Sequence, residues 1–269
     1  MAERPVDSEL LAPLREAPAS SAVLCDIDGT LAPISPLPGD ARVPERTRAI
    51  LDELAATYAL VACISGRRAV EAREMVGLGS LAYVGNHGFE VLAPGAAAPR
   101  IDPEVESEAD RAAEFVAGLD RSRLESPGLR IEDKGPIQSL HWRGAPSEAD
   151  AEREASALAS LAEDRGLEAR WGRKVLELRP PARIDKGTAT ALLLGEDGIT
   201  RALFGGDDVT DLDAFRTLRE MRSAGRLDHA VCVGVASDEG PAQIRELGDV
   251  VVAGTEGFVE LLEGLRSPG

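Results

Sequence analysis

Five short apolar runs recur along this chain, each closing on an aspartate or a glycine: "AVLCD" at 22–26, "ALVACISG" at 59–66, "ALFGGDD" at 202–208, "AVCVGVASD" at 230–238 and "DVVVAG" at 249–254. Their hydrophobicity is continuous rather than alternating, the pattern of strands covered on both faces. Amphipathic helix candidates separate them, at Pro44 to Tyr58, Arg68 to Val76, Gly187 to Leu194, Thr210 to Ser223 and Gly257 to Leu265. Strand alternating with helix predicts an α/β fold, a Rossmann-like three-layer core around a parallel sheet. In such sheets ligands bind beyond the carboxyl ends of the strands, so the acids that close these runs are the first place to look for chemistry.

The middle of the chain breaks the alternation. "PGAAAPRIDP", Pro94 to Pro103, reads as a turn-rich linker, followed by helix candidates at Glu104 to Leu119 and Glu148 to Asp164. Four strand-like pieces accompany them: "LRIED" at 129–133, "IQSLHWR" at 137–143, "LEARW" at 167–171 and "KVLELRP" at 174–180. The alternation in two of these suits a sheet with one wet face. We therefore expect an α+β cap domain, 95–182, inserted between the core halves 1–94 and 183–269, with "RPPARIDKG" bringing the chain back.

The charge balance narrows the partners. Forty-seven acids against thirty bases give a formal charge of −17, which repels nucleic acid and anionic membrane surfaces. The segment Met1 to Ser8 has no basic stretch followed by an apolar one, and no apolar run approaches membrane-spanning length, so a cytoplasmic protein is expected. Cys25, Cys63 and Cys232 each sit inside an apolar run and read as buried thiols, not as a disulfide framework.

Asp26 and Asp28 stand at the end of the first run. On extended backbone, residues two apart share a face, so the two carboxylates are expected to face one small volume. Like charges so placed need a proton or a cation between them. A turn in which Asp28 only caps Gly29-Thr30 is the simpler alternative at this point. A second acidic cluster, "GGDDVTDLDAF", carries Asp207, Asp208, Asp211 and Asp213. Thr210 followed by Asp213 resembles a capping box, which gives Asp213 a structural role, but that explanation does not reach Asp207 and Asp208. Oxygen ligands without His or Cys point to a hard cation, with Mg²⁺ the leading candidate.

Only three of the thirty basic residues are lysine: Lys134, Lys174 and Lys186. Where arginine is used almost everywhere, a lysine marks a place that needs a compact ammonium. Lys186 opens a helix candidate, where a cation opposes the macrodipole, so a structural role is less natural there. Lys174, on a strand edge, reads as a solvated surface residue. Asn86, the one asparagine, forms with His87 a pair between glycines in "VGNHGFE", a place for a turn that tolerates left-handed backbone.

Together these pieces resemble the haloacid dehalogenase superfamily, in its phosphatase branch. "DIDGT" is similar to its nucleophile motif, "ISGR" (Ile64 to Arg67) to the second motif, Lys186 to the third and "GDD" (Gly206 to Asp208) to the fourth. More narrowly, "DIDGTLAPI", "ISGR", "GNHGFE", "EDK" (Glu132 to Lys134), "HWR" (His141 to Arg143), "ELRP" (Glu177 to Pro180), "DKG" (Asp185 to Gly187) and "GDDVTDLDAF" resemble the trehalose-6-phosphate phosphatase family. Trp142 stands where tyrosine is common and Leu212 where glutamate is common.

The resemblance implies hydrolysis of trehalose 6-phosphate through an aspartyl-phosphate, with Asp26 as nucleophile, Asp28 as acid and base, and Ser65 and Lys186 gripping the transferred group. It implies Mg²⁺ held by Asp26, the main-chain carbonyl of Asp28 and Asp207, with Asp208 and Asp211 holding metal-bound waters or Lys186. Sugar recognition falls to the cap residues Glu132, Lys134 and Glu177, with Arg67, Asn86, His87, His141 and Arg143 as further substrate-binding candidates. A salt bridge on an exposed strand is the alternative for Glu132 and Lys134. Beside this stand two other readings: a phosphatase for another sugar phosphate (glucosyl- or mannosyl-glycerate phosphate, or sucrose phosphate), and a catalytically silent regulatory partner. An association with a trehalose-phosphate synthase is the macromolecular partner the resemblance adds.

Overall fold

A computed structural model describes residues 8–34, 41–101, 108, 110–172, 174–181, 184–195, 198–237 and 240–266. In chain order the strands are β1 (Ser21–Cys25), β2 (Leu60–Ile64), β3 (Ala82–Gly85), β4 (Glu90–Leu92), β5 (Arg100–Ile101), β6 (Arg130–Asp133), β7 (Gln138–His141), β8 (Glu168–Gly172), β9 (Val175–Arg179), β10 (Arg201–Gly206), β11 (His229–Ala236) and β12 (Val250–Ala253). Two compact units result: Met1–Arg100 with Ile184–Gly269, and Ile101–Arg183.

The first unit is built on an eight-stranded sheet in the order β12-β11-β10-β1-β2-β3-β4-β5. From β12 to β3 every pairing is parallel, and β4 runs antiparallel to β3. Alternate residues of each strand feed different cores. Val23 and Cys25 of β1, Val61 and Cys63 of β2 and Val231 and Val233 of β11 join Leu11, Leu14, Leu51, Leu54, Phe258 and Leu262 on one face. Ala22, Leu24, Ala62, Ile64, Ala202 and Phe204 meet Leu193, Phe215, Leu218 and Met221 on the other. Helices Ser8–Glu16, Glu45–Thr57, Ala69–Val76 and Gly254–Glu263 supply the first face, and Lys186–Leu193, Asp211–Ser223 and Ala242–Leu247 the second. This two-sided burial is why the strands read as continuous apolar runs. Leu24 is fully buried, so its truncation to alanine costs about 2–5 kcal/mol.

The second unit is an antiparallel sheet, β6-β7-β9-β8, with helices Arg111–Ala117, Ser122–Glu125 and Glu148–Glu163. Leu140, Leu176 and Leu178 from one sheet face pack on Phe115, Ala151, Ala155 and Leu158. The register aligns Glu132, Ser139, Glu177 and Arg170 in one cross-strand row of the opposite face. This is an α+β unit, as expected for the middle of the chain.

Three local expectations differ from what is observed. Thr210 makes no side-chain cap, and Asp213 pairs instead with Arg216 at 2.5 Å. The capping box that does form is Asp185 with Thr188, at the start of the Lys186–Leu193 helix. Arg100–Ile101, read as linker, is an edge strand of the core sheet. Of the helix expected over 104–119, the structure shows Arg111–Ala117, while 102–107 and 109 lie outside the described residues. The readings of residues 1–7 and of Ala182 and Arg183 fall outside them too. No helix among the described residues is long and apolar enough to cross a membrane.

Candidate active site

Parallel pairing of β1 with β10 brings the ends of two distant segments side by side, with Cys25 opposite Gly205. The Asp26 N–H then donates to the Gly205 carbonyl at 2.9 Å, while Asp207 follows the end of β10. Lys186, first residue of its helix and only 3% exposed, donates through Nζ to Asp26 Oδ1 at 2.7 Å and to Asp211 Oδ1 at 2.6 Å. The other oxygen of Asp211 accepts the main-chain N–H groups of Asp207 and Asp208, both at 2.9 Å. Asp211 thus fixes the loop and the ammonium together. Thr30 donates to Asp207 Oδ1 at 3.2 Å.

Electrostatics follow from counting charges in this buried space: Asp26, Asp207 and Asp211 against one ammonium. Burial raises Asp26 well above the usual carboxylate range; Lys186 opposes this, and the charges of Asp211 and Asp207 add to it. Asp207 is pushed up to about 7, first by burial and then by Asp211. Burial alone would lower Lys186, but Asp211 and Asp26 outweigh it and hold the ammonium above its ordinary value. Ligand oxygens of Asp26, Asp207 and Asp211 lie within 4.8 Å of one another. An all-oxygen donor set short of positive charge suits a hard divalent cation.

Asp28 is not one of the carboxylates grouped within 4.8 Å around Asp26, where the extended-strand argument would place it. β1 ends at Cys25, and Asp28 lies past a bend, bridged to Ala32. Both its oxygens accept from Arg67, Nε to Oδ2 and Nη2 to Oδ1, each at 2.6 Å. The carboxylates that crowd Asp26 come from the far end of the chain, and Asp28 has a cation of its own. Asp208 Oδ1 accepts from the Val209 N–H at 2.7 Å, and its charge adds to the rise of Asp207.

Ser65, 1% exposed, continues the β2–β3 pairing through its N–H to Val84 O at 2.9 Å, and its hydroxyl accepts from the Arg67 N–H at 3.2 Å. Asn86 and His87 form a left-handed turn beside it, with φ of 50° and 59°. Asn86 is fully buried, and its side-chain amide donates to Glu90 at 2.9 Å.

In the α+β unit the cross-strand row brings together most of the residues singled out there. Lys134 Nζ donates to Glu177 Oε1 at 3.0 Å and lies 3.9 Å from Glu132, while His141 Nε2 is 2.7 Å from Glu132 Oε2. The His141 hydrogen bond, and then the Lys134 charge, hold Glu132 below its ordinary value. Lys134 and Glu177 are only 12% and 13% exposed, which sets this pair apart from a solvated surface bridge. Arg143 is not in the cluster: it is exposed beyond the end of β7, and its charge acts on Glu148. Lys174 is also exposed and pairs with Glu148 at 2.6 Å, so two of the three lysines serve the buried clusters.

Three residues given no role beforehand belong to these networks. Ser139 lies 3.5 Å from Glu177 Oε1, and its sequence signal was its place two residues before His141 on the same strand face. Thr30 holds Asp207, a contact across 177 residues with no local signal. Glu90 is the one charge within the apolar run "FEVL".

Comparison with known proteins gives a consistent picture. The trehalose-phosphatase family model matches residues 24–246. The chain is 33% identical over 207 residues to the Oryza sativa subsp. japonica protein named "Probable trehalose-phosphate phosphatase 4", covering 72% of this chain and 54% of that one. It is 36% identical over 200 residues to a trehalose-phosphate phosphatase of Mycobacterium marinum, covering 72% of this chain and 50% of that one. It thus spans about half the length of the curated relatives it matches. The solved C-terminal domain of C. albicans trehalose-6-phosphate phosphatase superposes with a TM-score of 0.77 at 21% identity, over 98% of this chain and 99% of that one, and shows the same fold. With a family match running from the first strand to past the second acidic cluster, this chain belongs to the trehalose-phosphatase family.

Proposed function

We propose that this chain hydrolyses trehalose 6-phosphate to trehalose and inorganic phosphate. The observation that carries the reading is the Lys186–Asp26 contact at 2.7 Å, made across 160 residues beside Asp207 in a member of this family. Asp26 attacks phosphorus, a P–O bond to its carboxylate forms, and the bond to the sugar oxygen breaks. Asp28 gives that oxygen a proton, then takes one from the water that cleaves the aspartyl-phosphate, so carboxylate and phosphate are both released. Asp28 must first loosen the two-point grip of Arg67 and take up the proton it will donate. Lys186 and the Ser65 hydroxyl orient the transferred group.

Asp26, Asp207 and the main-chain carbonyl of Asp28 would hold Mg²⁺, with Asp211 fixing the loop and Asp208 reached through water. Bound there, the ion supplies positive charge opposite the phosphoryl oxygens. Glu132, Lys134 and Glu177, with His141 and Ser139 behind them, are the groups we assign to the sugar hydroxyls. Arg67 acts on Asp28, and the buried Asn86 shapes the turn. Three unpaired buried thiols suit a reducing cytoplasm, and a trehalose-phosphate synthase is the partner this reading carries.

Phosphate release across a panel of sugar phosphates, with and without Mg²⁺ and with Asp26→Asn as control, tests the proposal. Selective, Mg²⁺-dependent release from trehalose 6-phosphate that vanishes in Asp26→Asn is expected. Preference for another sugar phosphate overturns the substrate, and no release from any overturns the activity.

A further inference from the structure

Glu90 sits in β4 with 3% exposure, a place where an ionised carboxylate is costly unless it is fully hydrogen-bonded. It is: Oε1 accepts the Asn86 amide and Oε2 accepts the Ala69 N–H, each at 2.9 Å, with Arg68 Nε 3.9 Å from Oε1. Ala69 opens the helix Ala69–Val76, so a carboxylate at that end is also favoured by the helix dipole. We propose that Glu90 is a positioning residue for the reaction, the anchor that sets Ser65 and, through Arg67, the acid–base carboxylate of Asp28. The inference rests on the phosphatase reading above and extends it to a residue outside the reacting groups.

The linkage runs through a strained turn. Left-handed backbone at two successive non-glycine residues costs about 1–2 kcal/mol each and persists only where the surroundings hold it. Glu90 contributes to that hold at Asn86, whose side-chain amide it accepts. The turn's own N–H groups in turn hold the neighbouring loop: Asn86 N–H donates to Arg67 O at 2.7 Å and His87 N–H to Ser65 O at 2.9 Å. The two loops are too close for movement without rearrangement. A Cβ built on Gly66 would lie 2.7 Å from the His87 ring, and one built on Gly85 would lie 2.2 Å from Ala69 N. Arg67, fixed at its backbone, then places both oxygens of Asp28. A displacement of about 1 Å at such groups lowers turnover by about 10²-fold.

The test separates positioning from plain stability. In Asn86→Asp, a carboxylate replaces the amide against Glu90, and kcat on trehalose 6-phosphate should fall by about 10²-fold with KM nearly unchanged. Adding Glu90→Gln restores a donor against an acceptor with the roles reversed, and should recover kcat to within about threefold of wild type. An aryl phosphate, whose leaving group needs no proton, should lose less in the single variant than the sugar phosphate does. Hydrogen exchange should speed up at residues 65–69 and 86–89 in Glu90→Ala and stay unchanged in β10. Equal loss on both substrates in step with a lowered Tm, no recovery in the double variant, or unchanged exchange overturns the proposal. Absence of phosphate release by the wild type overturns the phosphatase reading instead, and the exchange pattern then decides the anchor alone.

Discussion

Lys186 Nζ lies between Asp26 and Asp211, 2.7 and 2.6 Å from their oxygens, with all three side chains under a tenth exposed. One ammonium therefore tempers two carboxylates while a third, Asp207, crowds the same space. Removing it leaves the carboxylates without their internal cation. In metal-free buffer Lys186→Met should lose about 3–5 kcal/mol of stability, the range for breaking a buried ion pair from one side. Mg²⁺ should restore part of that loss, because a cation can replace the missing charge. Urea unfolding with and without Mg²⁺ checks this, and identical curves in the two conditions would count against an acidic site that needs a cation.

A second consequence concerns pH. Asp207 is held at about 7 in the native protein, above an unfolded value of about 3.9. Between these values the native state binds the extra proton, so this group's contribution is full at the acid end and is lost as pH rises from about 4 to about 7. Asp26 is shifted in the same direction and adds to the slope. With a chelator present, stability should fall across that window, and Asp207→Asn should flatten the fall. Saturating Mg²⁺ should reverse its sign, since the ion binds the ionised carboxylates. A falling slope that persists in Asp207→Asn at full strength would exclude Asp207 as its source.

The core strands of this chain and the clustering of its acids were legible for physical reasons that also mark the limit. Val23, Leu24 and Cys25 read as a core strand because both faces of β1 are covered. The helix Ser8–Glu16 escaped because Pro13 interrupts its pattern, and the short strands Ala82–Gly85 and Glu90–Leu92 are too brief to show a period. Lys186 stood out by lysine's rarity, yet nothing local said that Asp211, 25 residues on, would share its ammonium. The same distance hides the Asp28–Arg67 pair, whose partners are 39 residues apart and meet only once β1 and β2 align. The Thr210 cap failed because Thr210 already has right-handed helical backbone, φ −66° and ψ −22°, and the Leu212 N–H it could have accepted goes to Val209 O at 3.2 Å.

The role in sugar recognition proposed for the α+β unit has its own readout. Glu177→Gln keeps the shape of the row Glu132, Ser139, Glu177 and Arg170 but leaves Lys134 without its 3.0 Å charged partner. A hydrogen bond to a charged group is worth about 1.5–3 kcal/mol, so kcat/KM on trehalose 6-phosphate should drop by about 10- to 150-fold. An aryl phosphate should change by less than about twofold, since it has no hydroxyls for this row to read. The chain's two tryptophans, Trp142 just past β7 and Trp171 in β8, meet edge-to-face at 5.9 Å on the core-facing side of this sheet and report on the packing behind the row. Trehalose should alter the emission of the wild type, and Glu177→Gln should need a higher concentration for the same change. Equal losses on both substrates would refute the assignment.

Gly29 supplies the strictest steric test of the Asp26–Asp207 arrangement. Its φ is +91°, and a Cβ there would fall 2.2 Å from Asp207 Oδ2 and 2.5 Å from Asp207 Cγ, distances no contact tolerates. Gly29→Ala must therefore push the Asp207 carboxylate aside as well as strain the backbone, which by itself costs about 1–2 kcal/mol. Gly95→Ala isolates the strain: φ is +71° there, and nothing lies within 4 Å of the added Cβ. Gly29→Ala should lose at least as much stability as Gly95→Ala in thermal melts. Only Gly29→Ala should lower kcat, by about 10²-fold for a displaced acidic group, and raise the Mg²⁺ concentration needed for half-maximal activity. If Gly29→Ala turns over like Gly95→Ala, Asp207 is not where the reaction needs it, and the placement of the metal on Asp26 and Asp207 falls with it.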